Sequence, residues 1–204
     1  MRYLGSKDKL LPAIQSLLYD KGLLNTSFRF FDAFCGTGAV ANSLKNIYNV
    51  IINDSMQWSV IYTKGRIIGN LCDFKRLGFN PFQYFSEHQD IQKGFFYQNY
   101  SPGGSDRKYF IAENAGRIDY IRTTIEQWKQ MGLISDNEYA YLIYCLIEGV
   151  SSVSNTAGVY GAFLKHWDPR SQNKMQFVPI SENLFDDVEL GYPIETHRRY
   201  HITN

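Results

Sequence analysis

Apolar and polar residues alternate with two different periods along the first part of the chain. Stretches with apolar residues three or four apart are separated by short aromatic or aliphatic runs, so helices and buried strands are expected in alternation. The expected helices cover 10–20, with Pro12 in the first turn, 39–48 and 57–68, and the expected buried strands cover 28–32 and 49–53. This order predicts an α/β fold whose strands form a parallel sheet.

Helical periods dominate beyond about residue 70. Residues 94–105 are rich in glycine, serine and proline and predict a loop. The next segment predicts a helix that Gly132 ends, with an apolar stripe formed by Ile118, Ile121, Ile125 and Trp128. Ser135 and Glu138 have the spacing of a capping box, which predicts a second helix reaching Val150. The two helices are expected to form an αα-hairpin.

The segment after this hairpin is expected to be a recognition loop. Residues 151–161 are mostly small and polar, so the sequence predicts that they lie outside the core, on a loop carried by rigid helices. Weak strand signals in 176–180 and 188–194 predict that the tail returns towards the sheet.

Charge and composition narrow the class of protein. A net charge of +1 and a pI near 7.7 give no global field, so any nucleic-acid surface has to be local. The candidate basic clusters are 107–108, 165–174 and 197–199. The apolar run at 10–18 is interrupted by proline and polar residues, which disfavours a signal peptide or membrane span and leads us to expect a cytoplasmic location without membrane partners.

The metal-binding and disulfide-forming residue types give no strong pattern. Cys35, Cys72 and Cys145 are far apart and odd in number, as expected of reduced thiols. His197 and His201 are four residues apart with no third ligand nearby, so we expect a basic cluster and no metal site.

Asp32 stands directly before a glycine turn that opens the helix expected at 39–48. Gly36, Gly38 and Ala41 satisfy G-x-G-x-x-G/A, so an NAD-dependent oxidoreductase is one interpretation. A pyrophosphate at a helix N-terminus disfavours a nearby carboxylate, whereas S-adenosylmethionine carries an ammonium, a sulfonium and no phosphate. Asp32 therefore favours S-adenosylmethionine as the cofactor.

Asp54 ends the second apolar run, 18 residues after Gly36. An acid at this place accepts hydrogen bonds from ribose hydroxyls in nucleotide-cofactor folds, and Ser55 and Met56 are then expected to line the adenine pocket. The competing interpretation is that Asp54 only caps the next helix. The spacing relative to Asp32 and Gly36 favours the cofactor role.

Several motifs in order resemble the Dam-like adenine-specific (N6) DNA methyltransferases of the restriction-associated type. The resemblance covers nearly the whole chain. It is carried by Tyr-Leu-Gly-Ser-Lys at 3–7, Lys-Leu-Leu-Pro at 9–12, Asp-Ala-Phe-Cys-Gly-Thr-Gly at 32–38, Asn-Asp at 53–54, Asn-Tyr-Ser-Pro at 99–102 and the segment 154–165.

The resemblance implies a Rossmann-like S-adenosylmethionine methyltransferase sheet, incomplete in this chain, with a mainly helical DNA-recognition insert. The implied division is a cofactor-binding α/β part at 1–70, a target-recognition part at 71–175 and a return towards the sheet at 176–204. The segment at 3–7 is expected to close over the cofactor, the glycine turn to hold its methionine end and Asp54 to bind its ribose. The implied cofactor-binding residues are Tyr3, Ser6, Lys7, Asp32, Phe34, Cys35, Gly36, Thr37, Gly38, Ala39, Val40, Asp54 and Ser55.

The family also carries a catalytic (D/N/S)-P-P-(Y/F/W) motif, and these 204 residues contain no two adjacent prolines. Methylation of adenine requires a flipped base whose amine is bound by oxygen acceptors from that motif. We therefore expect no catalytic residue in this chain, which is interpreted as interrupted before its catalytic strand and inactive alone. A non-catalytic DNA-binding remnant or subunit is the alternative.

The expected partners are double-stranded DNA, a restriction endonuclease of the same restriction-modification system and a second polypeptide carrying the catalytic half. Phosphate contacts are expected from Arg107, Lys165 and Arg170. Ser154, Asn155 and Tyr160 are expected nearer the bases.

Overall fold

The computed structural model describes residues 5–25, 27–158 and 160–180, and it divides into two compact units, Gly5–Gly69 and Asn70–Ile180. Tyr3, the strand expected at 188–194, the basic cluster at 197–199 and the pair His197 and His201 lie outside the described residues.

The unit Gly5–Gly69 is a small mixed α/β layer. A short 3-10 helix, Asp8–Leu10, leads into α1 (Leu11–Asp20), and β1 (Arg29–Asp32), α2 (Ala39–Leu44), β2 (Asn49–Ile52) and α3 (Gln57–Ile68) follow. The two strands pair in parallel, with Arg29 opposite Asn49 and Asp32 opposite Ile52. The predicted parallel pairing is confirmed, and so are the helices at α1 and α3.

The core of this unit lies between β2 and the helices. It is formed by Cys35, Ala41, Leu44, Tyr48, Val50, Ile52 and Ile67. Phe30 packs against this core and stacks on Tyr48, with ring centroids 5.7 Å apart. Successive side chains of a strand point to opposite faces, so the neighbouring Phe31 is 58% exposed. The expectation that the first strand is buried was therefore wrong for one of its faces, and α2 ends at Leu44, earlier than expected.

The unit Asn70–Ile180 is mainly helical. Its elements are α4 (Pro81–Glu87), α5 (Phe95–Tyr100), α6 (Ala112–Gln130), α7 (Asp136–Ser152) and a 3-10 helix at Pro169–Gln172. The apolar stripe predicted on α6 is buried in all four positions. Gly132, with φ of +71°, follows α6, and the amide of Leu133 donates to the carbonyl of Trp128 at 2.9 Å. Among the described residues, no helix has the length and apolar character of a membrane span.

Helix α5 occupies the place where the sequence predicts a loop. Its first turn receives a cap from a distant residue, because the Asp119 carboxylate on α6 accepts hydrogen bonds from the amides of Phe96 and Tyr97 at 3.0 and 2.8 Å. A carboxylate at a helix N-terminus also interacts favourably with the helix dipole. The loop prediction was therefore wrong for 95–100, because this cap comes from outside the segment, and it is confirmed for 101–105.

Residues 151–161 differ from the expected exposed loop, since Val153, Ser154, Asn155 and Thr156 are buried. No strand forms at 176–180. This tail segment is held by side chains of the hairpin: the Asn114 side chain accepts from the amide of Met175 at 3.0 Å, and the Tyr141 hydroxyl donates to the carbonyl of Ile180 at 3.3 Å. The prediction for 151–161 was wrong at 153–156, whereas Ala157, Tyr160 and Gly161 are exposed as expected. The strand prediction at 176–180 was wrong because side chains of the hairpin pair with backbone groups of this segment.

The capping box predicted at the start of α7 is confirmed. The Ser135 hydroxyl accepts from the amide of Glu138 at 3.3 Å, and the Glu138 carboxylate accepts from the amide of Ser135 at 2.7 Å. We expect Ser135→Ala to lower the free energy of unfolding by about 1 kcal/mol, because one helix amide loses its acceptor. Urea denaturation measures this loss. Ser86→Ala, at an exposed position of α4, is the control and is expected to change stability by less than about 0.5 kcal/mol.

Candidate cofactor and DNA sites

The glycine turn is tied to the carboxyl ends of both strands. Beyond β1 and β2 the parallel ladder continues, because the amide of Asn53 donates to the carbonyl of Asp32 and the amide of Cys35 donates to the carbonyl of Asn53, both at 2.9 Å. Gly36 and Gly38 then take φ values of +52° and +70°, in the left-handed region that favours glycine. Asp32, the turn and Asp54 therefore lie at one edge of the sheet, the edge at which parallel α/β folds bind ligands.

Asp54 contacts the glycine turn directly. Its Oδ2 accepts from the amide of Gly36 at 2.9 Å, and its Oδ1 accepts from the amide of Met56 at 2.9 Å. Met56 is the N-cap residue of α3, and no side chain caps that helix. Asp54 is therefore not the N-cap that the competing interpretation required, and its carboxylate orients the turn.

The Asp32 carboxyl is partly buried, and its ionised form is disfavoured. Burial is the main cause that raises the pKa of Asp32 above 3.8, and the nearby negative charge of Asp54 raises it further. Hydrogen bonds from the backbone amides of Ala41 and Phe34 act in the opposite direction and are outweighed. A site with two neighbouring carboxylates favours a ligand that brings positive charge.

Two residues of α3 hold the turn and were missed by the sequence reasoning. The buried Thr63 hydroxyl donates to the carbonyl of Gly36 at 3.1 Å, and the Arg66 guanidinium donates to the carbonyl of Thr37 at 2.9 Å. A Cβ atom at Gly38 would lie 2.6 Å from Cγ2 of Thr63. Both side chains lie on a helix that carries no recognisable motif, so the sequence offers no signal for them.

The segment at Ser6 and Lys7 is linked to the same turn. The Ser6 hydroxyl donates to the Asp8 carboxylate, and Asp8 Oδ1 lies 4.0 Å from a guanidinium nitrogen of Arg66. Since Arg66 also binds the carbonyl of Thr37, this chain of contacts connects the expected cofactor-closing segment to the glycine turn.

The other expected cofactor residues divide into buried and exposed groups. Cys35, Thr37 and Ala39 are buried, and Val40 is partly buried. Burial raises the pKa of the Cys35 thiol to about 11, so this cysteine is neutral near pH 7 and acts as a packing residue. The exposed members are Ser55 and Phe34, whose side chain is 85% exposed.

The expected DNA residues lie in one region of the helical unit but differ in environment. Arg107 and Lys165 are exposed, and the Tyr160 ring stacks on Tyr109 with centroids 6.1 Å apart. The Arg170 guanidinium is engaged in contacts within the protein. Its Nη2 atom donates to the carbonyl of Ser154 at 3.0 Å and lies 3.9 Å from Asp168 Oδ2.

Ser154 and Asn155 are buried. The Ser154 hydroxyl donates to the carbonyl of Ser151 at 3.2 Å, and the Asn155 amide is 0% exposed. In this structure both side chains therefore serve the internal packing of the loop.

The chain thus has the class of a mixed α/β protein in which a parallel strand pair leads into a glycine turn flanked by two acids, an arrangement that many nucleotide-binding α/β proteins share. Comparison of the sequence with known protein families identifies the family of the chain. The profile of the D12 class N6 adenine-specific DNA methyltransferases matches residues 3–189, and the chain belongs to this family.

Individual relatives are named as type II methyltransferases and modification methylases. The chain is 40% identical to the type II methyltransferase M.FokI of Planomicrobium okeanokoites over 184 residues, 86% of this chain and 28% of that protein. It is 41% identical to the modification methylase StsI of Streptococcus sanguinis over 194 residues, 92% of this chain and 29% of that protein. It is 37% identical to the type II methyltransferase M.NlaIII of Neisseria lactamica over 201 residues, 97% of this chain and 59% of that protein.

The chain therefore spans between 28% and 59% of the length of these relatives. No solved structure matches the chain.

Proposed function

We propose that the unit Gly5–Gly69 binds S-adenosylmethionine and that the unit Asn70–Ile180 contacts duplex DNA, in a site-specific adenine-N6 methyltransferase of a restriction-modification system. One observation carries the cofactor assignment: the partly buried Asp32 carboxyl, next to Asp54, flanks a glycine turn held by the Asp54 contact to Gly36. The ammonium group of the cofactor offsets this negative charge, which a pyrophosphate would increase.

Within this proposal, Asp32 orients the methionine end of the cofactor and Asp54 the ribose. Bound S-adenosylmethionine supplies an electrophilic methyl group. The exposed Phe34 ring and the segment at Ser6 and Lys7 cover the bound cofactor and exclude water from it.

We further propose that β1 and β2 belong to a larger Rossmann-like sheet. Several large apolar side chains of this unit are more than 40% exposed, which is typical of a surface that packs against further protein. They include Leu10, Leu17, Tyr19, Leu23, Phe28 and Phe31. Among the described residues β1 pairs only with β2, and a free strand edge is a template for another strand. We propose that a further segment, here called the covering segment, pairs with β1 at that edge.

The same covering segment supplies the acceptors for the adenine amine. The sequence at 1–204 has no adjacent prolines, and methyl transfer depends on oriented acceptors that stabilise charge at the reacting nitrogen. This segment is either joined to the chain or carried by a second polypeptide. Methylation by the assembled enzyme protects sites from the endonuclease of the same system.

Two measurements test this function. Calorimetric titration of the 204-residue chain is expected to detect binding of S-adenosylmethionine and none of NAD. Transfer of labelled methyl groups to duplex DNA is expected only after addition of a family polypeptide that carries the double-proline motif. Full turnover by the chain alone would contradict the division of roles, and NAD binding would contradict the cofactor assignment.

Residues 1–204 lack the double-proline motif, and this observation also favours a second candidate function. In this candidate the protein is a DNA-binding subunit or remnant without catalysis. This candidate predicts DNA binding with no methyl transfer even after the catalytic segment is supplied. The same reconstitution assay therefore separates the two functions.

Lys165 is proposed to bind a DNA phosphate, because it is exposed and follows closely after the loop that carries Tyr160. Lys165→Ala is then expected to weaken binding to every DNA sequence and to reduce the slope of log affinity against log salt by about 1. Fluorescence anisotropy at several salt concentrations measures both effects. Lys64→Ala, in the other unit, is the control, and a Lys165→Ala slope equal to that of the control would remove Lys165 from the contact surface.

A further inference from the structure

The Asn155 side chain uses all of its hydrogen-bonding capacity inside the protein. Its Nδ2 donates to the carbonyls of Lys108 at 2.9 Å and Leu164 at 3.1 Å. Its Oδ1 accepts from the amide of Asp168 at 2.9 Å and from the hydroxyl of Ser171 at 3.4 Å. Because an amide side chain has two N–H donors and two principal acceptor positions, none is left to read a base. The expected base contact at Asn155 is therefore replaced by an internal role.

The backbone of Asn155 joins the same segments. Its amide donates to the carbonyl of Tyr109 at 2.8 Å, and its carbonyl accepts from the amide of Leu164 at 3.0 Å. Thr156 and Phe163 pair next to it in an antiparallel bridge, which closes the loop that carries Tyr160. Residues 108–109 and the segment 164–171, which are more than 50 positions apart in sequence, thus meet at the buried Asn155.

Each of these two parts of the chain carries a lysine, and the side chain of Lys108 reaches the backbone of Lys165. Nζ of Lys108 is 3.5 Å from the carbonyl oxygen of Lys165, although the two residues are 57 positions apart. We refer to Lys108 and Lys165 as the lysine pair. The Asn155 amide binds the carbonyl of Lys108 itself and that of Leu164, the residue before Lys165, so it fixes the backbone under both members of the pair.

We propose that Asn155 is the positioning residue of a phosphate-binding surface formed by the lysine pair, and that Lys108 is a DNA contact in addition to Lys165. This inference rests on the proposed function. A lysine whose backbone is held in place loses less conformational freedom when its side chain binds a phosphate of the strand. Without the Asn155 side chain, two carbonyls and one amide lose their partners, and the two segments are no longer held in register.

The test is the salt dependence of DNA affinity, measured by anisotropy with a labelled duplex and the full chain. Lys108→Ala and Lys165→Ala are each expected to reduce the slope by about 1, and Asn155→Ala, which removes no charge, by about 2. In the Lys108→Ala/Lys165→Ala background, adding Asn155→Ala is expected to leave the slope unchanged. A purely structural role for Asn155 predicts no change of slope in either background.

Asn114→Ala is the matched control. Asn114 is also buried, donates to the carbonyl of Asn173 at 2.8 Å and accepts from the amide of Met175, but it contacts neither lysine segment. It is expected to lower thermal stability as Asn155→Ala does while keeping the wild-type slope. If Asn155→Ala does not fold, Asn155→Ser, which retains one donor, takes its place with an intermediate slope expected.

The outcomes separate the inference from the function on which it rests. An Asn155 variant with the slope of wild type or of Asn114→Ala would overturn the positioning role. Salt-independent or undetectable DNA binding by the wild-type chain would instead contradict the proposed function.

Discussion

Gly38→Ala is expected to lower the free energy of unfolding of the unit Gly5–Gly69 by about 2 to 5 kcal/mol. Two effects add. Gly38 has φ of +70°, where a side chain costs about 1 to 2 kcal/mol. A methyl group there would also lie 2.6 Å from Cγ2 of the buried Thr63, and overpacking of this kind costs about 1 to 3 kcal/mol.

Gly22→Ala isolates the backbone effect. Gly22 belongs to the same unit and has φ of +63°, but a Cβ atom there meets nothing within 4 Å. Its expected loss is therefore only about 1 kcal/mol. Urea denaturation measures both variants, followed by tryptophan fluorescence in a Trp128→Phe/Trp167→Phe background that leaves Trp58 as the reporter. If both variants lost the same free energy of unfolding, the contact between the added methyl group and Thr63 would cost nothing measurable.

Sequence reasoning succeeded where the determinants are local. The helical period at 57–68 predicted α3 with the bounds found in the structure, and the spacing of Ser135 and Glu138 predicted the start of α7. Both signals depend on residues within one or two turns of each other, so neighbouring sequence is sufficient. The glycine turn was visible for the same reason.

The features that sequence reasoning missed depend on contacts between distant residues. Asp119 caps α5 from 22 and 23 positions away, and Thr63 reaches Gly36 across 27 positions. Small polar residues such as those at 154–156 are typical of a surface loop, yet they are buried, and Asn155 among them pairs with Lys108, Leu164 and Asp168, which lie 9 to 47 positions away. These hydrogen bonds form between residues that only folding brings together, so no local period or capping motif in the sequence predicts them.

Asp32→Asn is expected to weaken binding of S-adenosylmethionine by about 10- to 100-fold, since a charge-assisted hydrogen bond contributes about 1.5 to 3 kcal/mol. The substitution keeps the shape of the side chain and an oxygen for the amides of Ala41 and Phe34, so the turn is expected to persist. Isothermal titration measures the affinity. Asp20→Asn, at an exposed carboxylate of α1, is the control and is expected to bind as wild type does.

The raised pKa of Asp32 gives this prediction a pH dependence with a definite sign. For the free chain, the stability that this group contributes is fully present below its unfolded pKa and is lost as pH rises through the folded pKa, above 3.8. Cofactor affinity changes in the opposite direction, because the ammonium favours the ionised carboxylate. Wild-type affinity is therefore expected to fall as pH is lowered through that folded pKa, whereas Asp32→Asn is expected to lack this transition.

A comparison of two ligands identifies the positive group that Asp32 meets. S-adenosylmethionine has both an ammonium and a sulfonium, whereas S-adenosylhomocysteine keeps the ammonium and has a neutral thioether. If Asp32 orients the methionine end through its ammonium, Asp32→Asn weakens both ligands by the same factor, because the lost interaction is common to them. A loss confined to S-adenosylmethionine would place the carboxylate at the sulfonium, and unchanged affinity for both would remove Asp32 from the cofactor site.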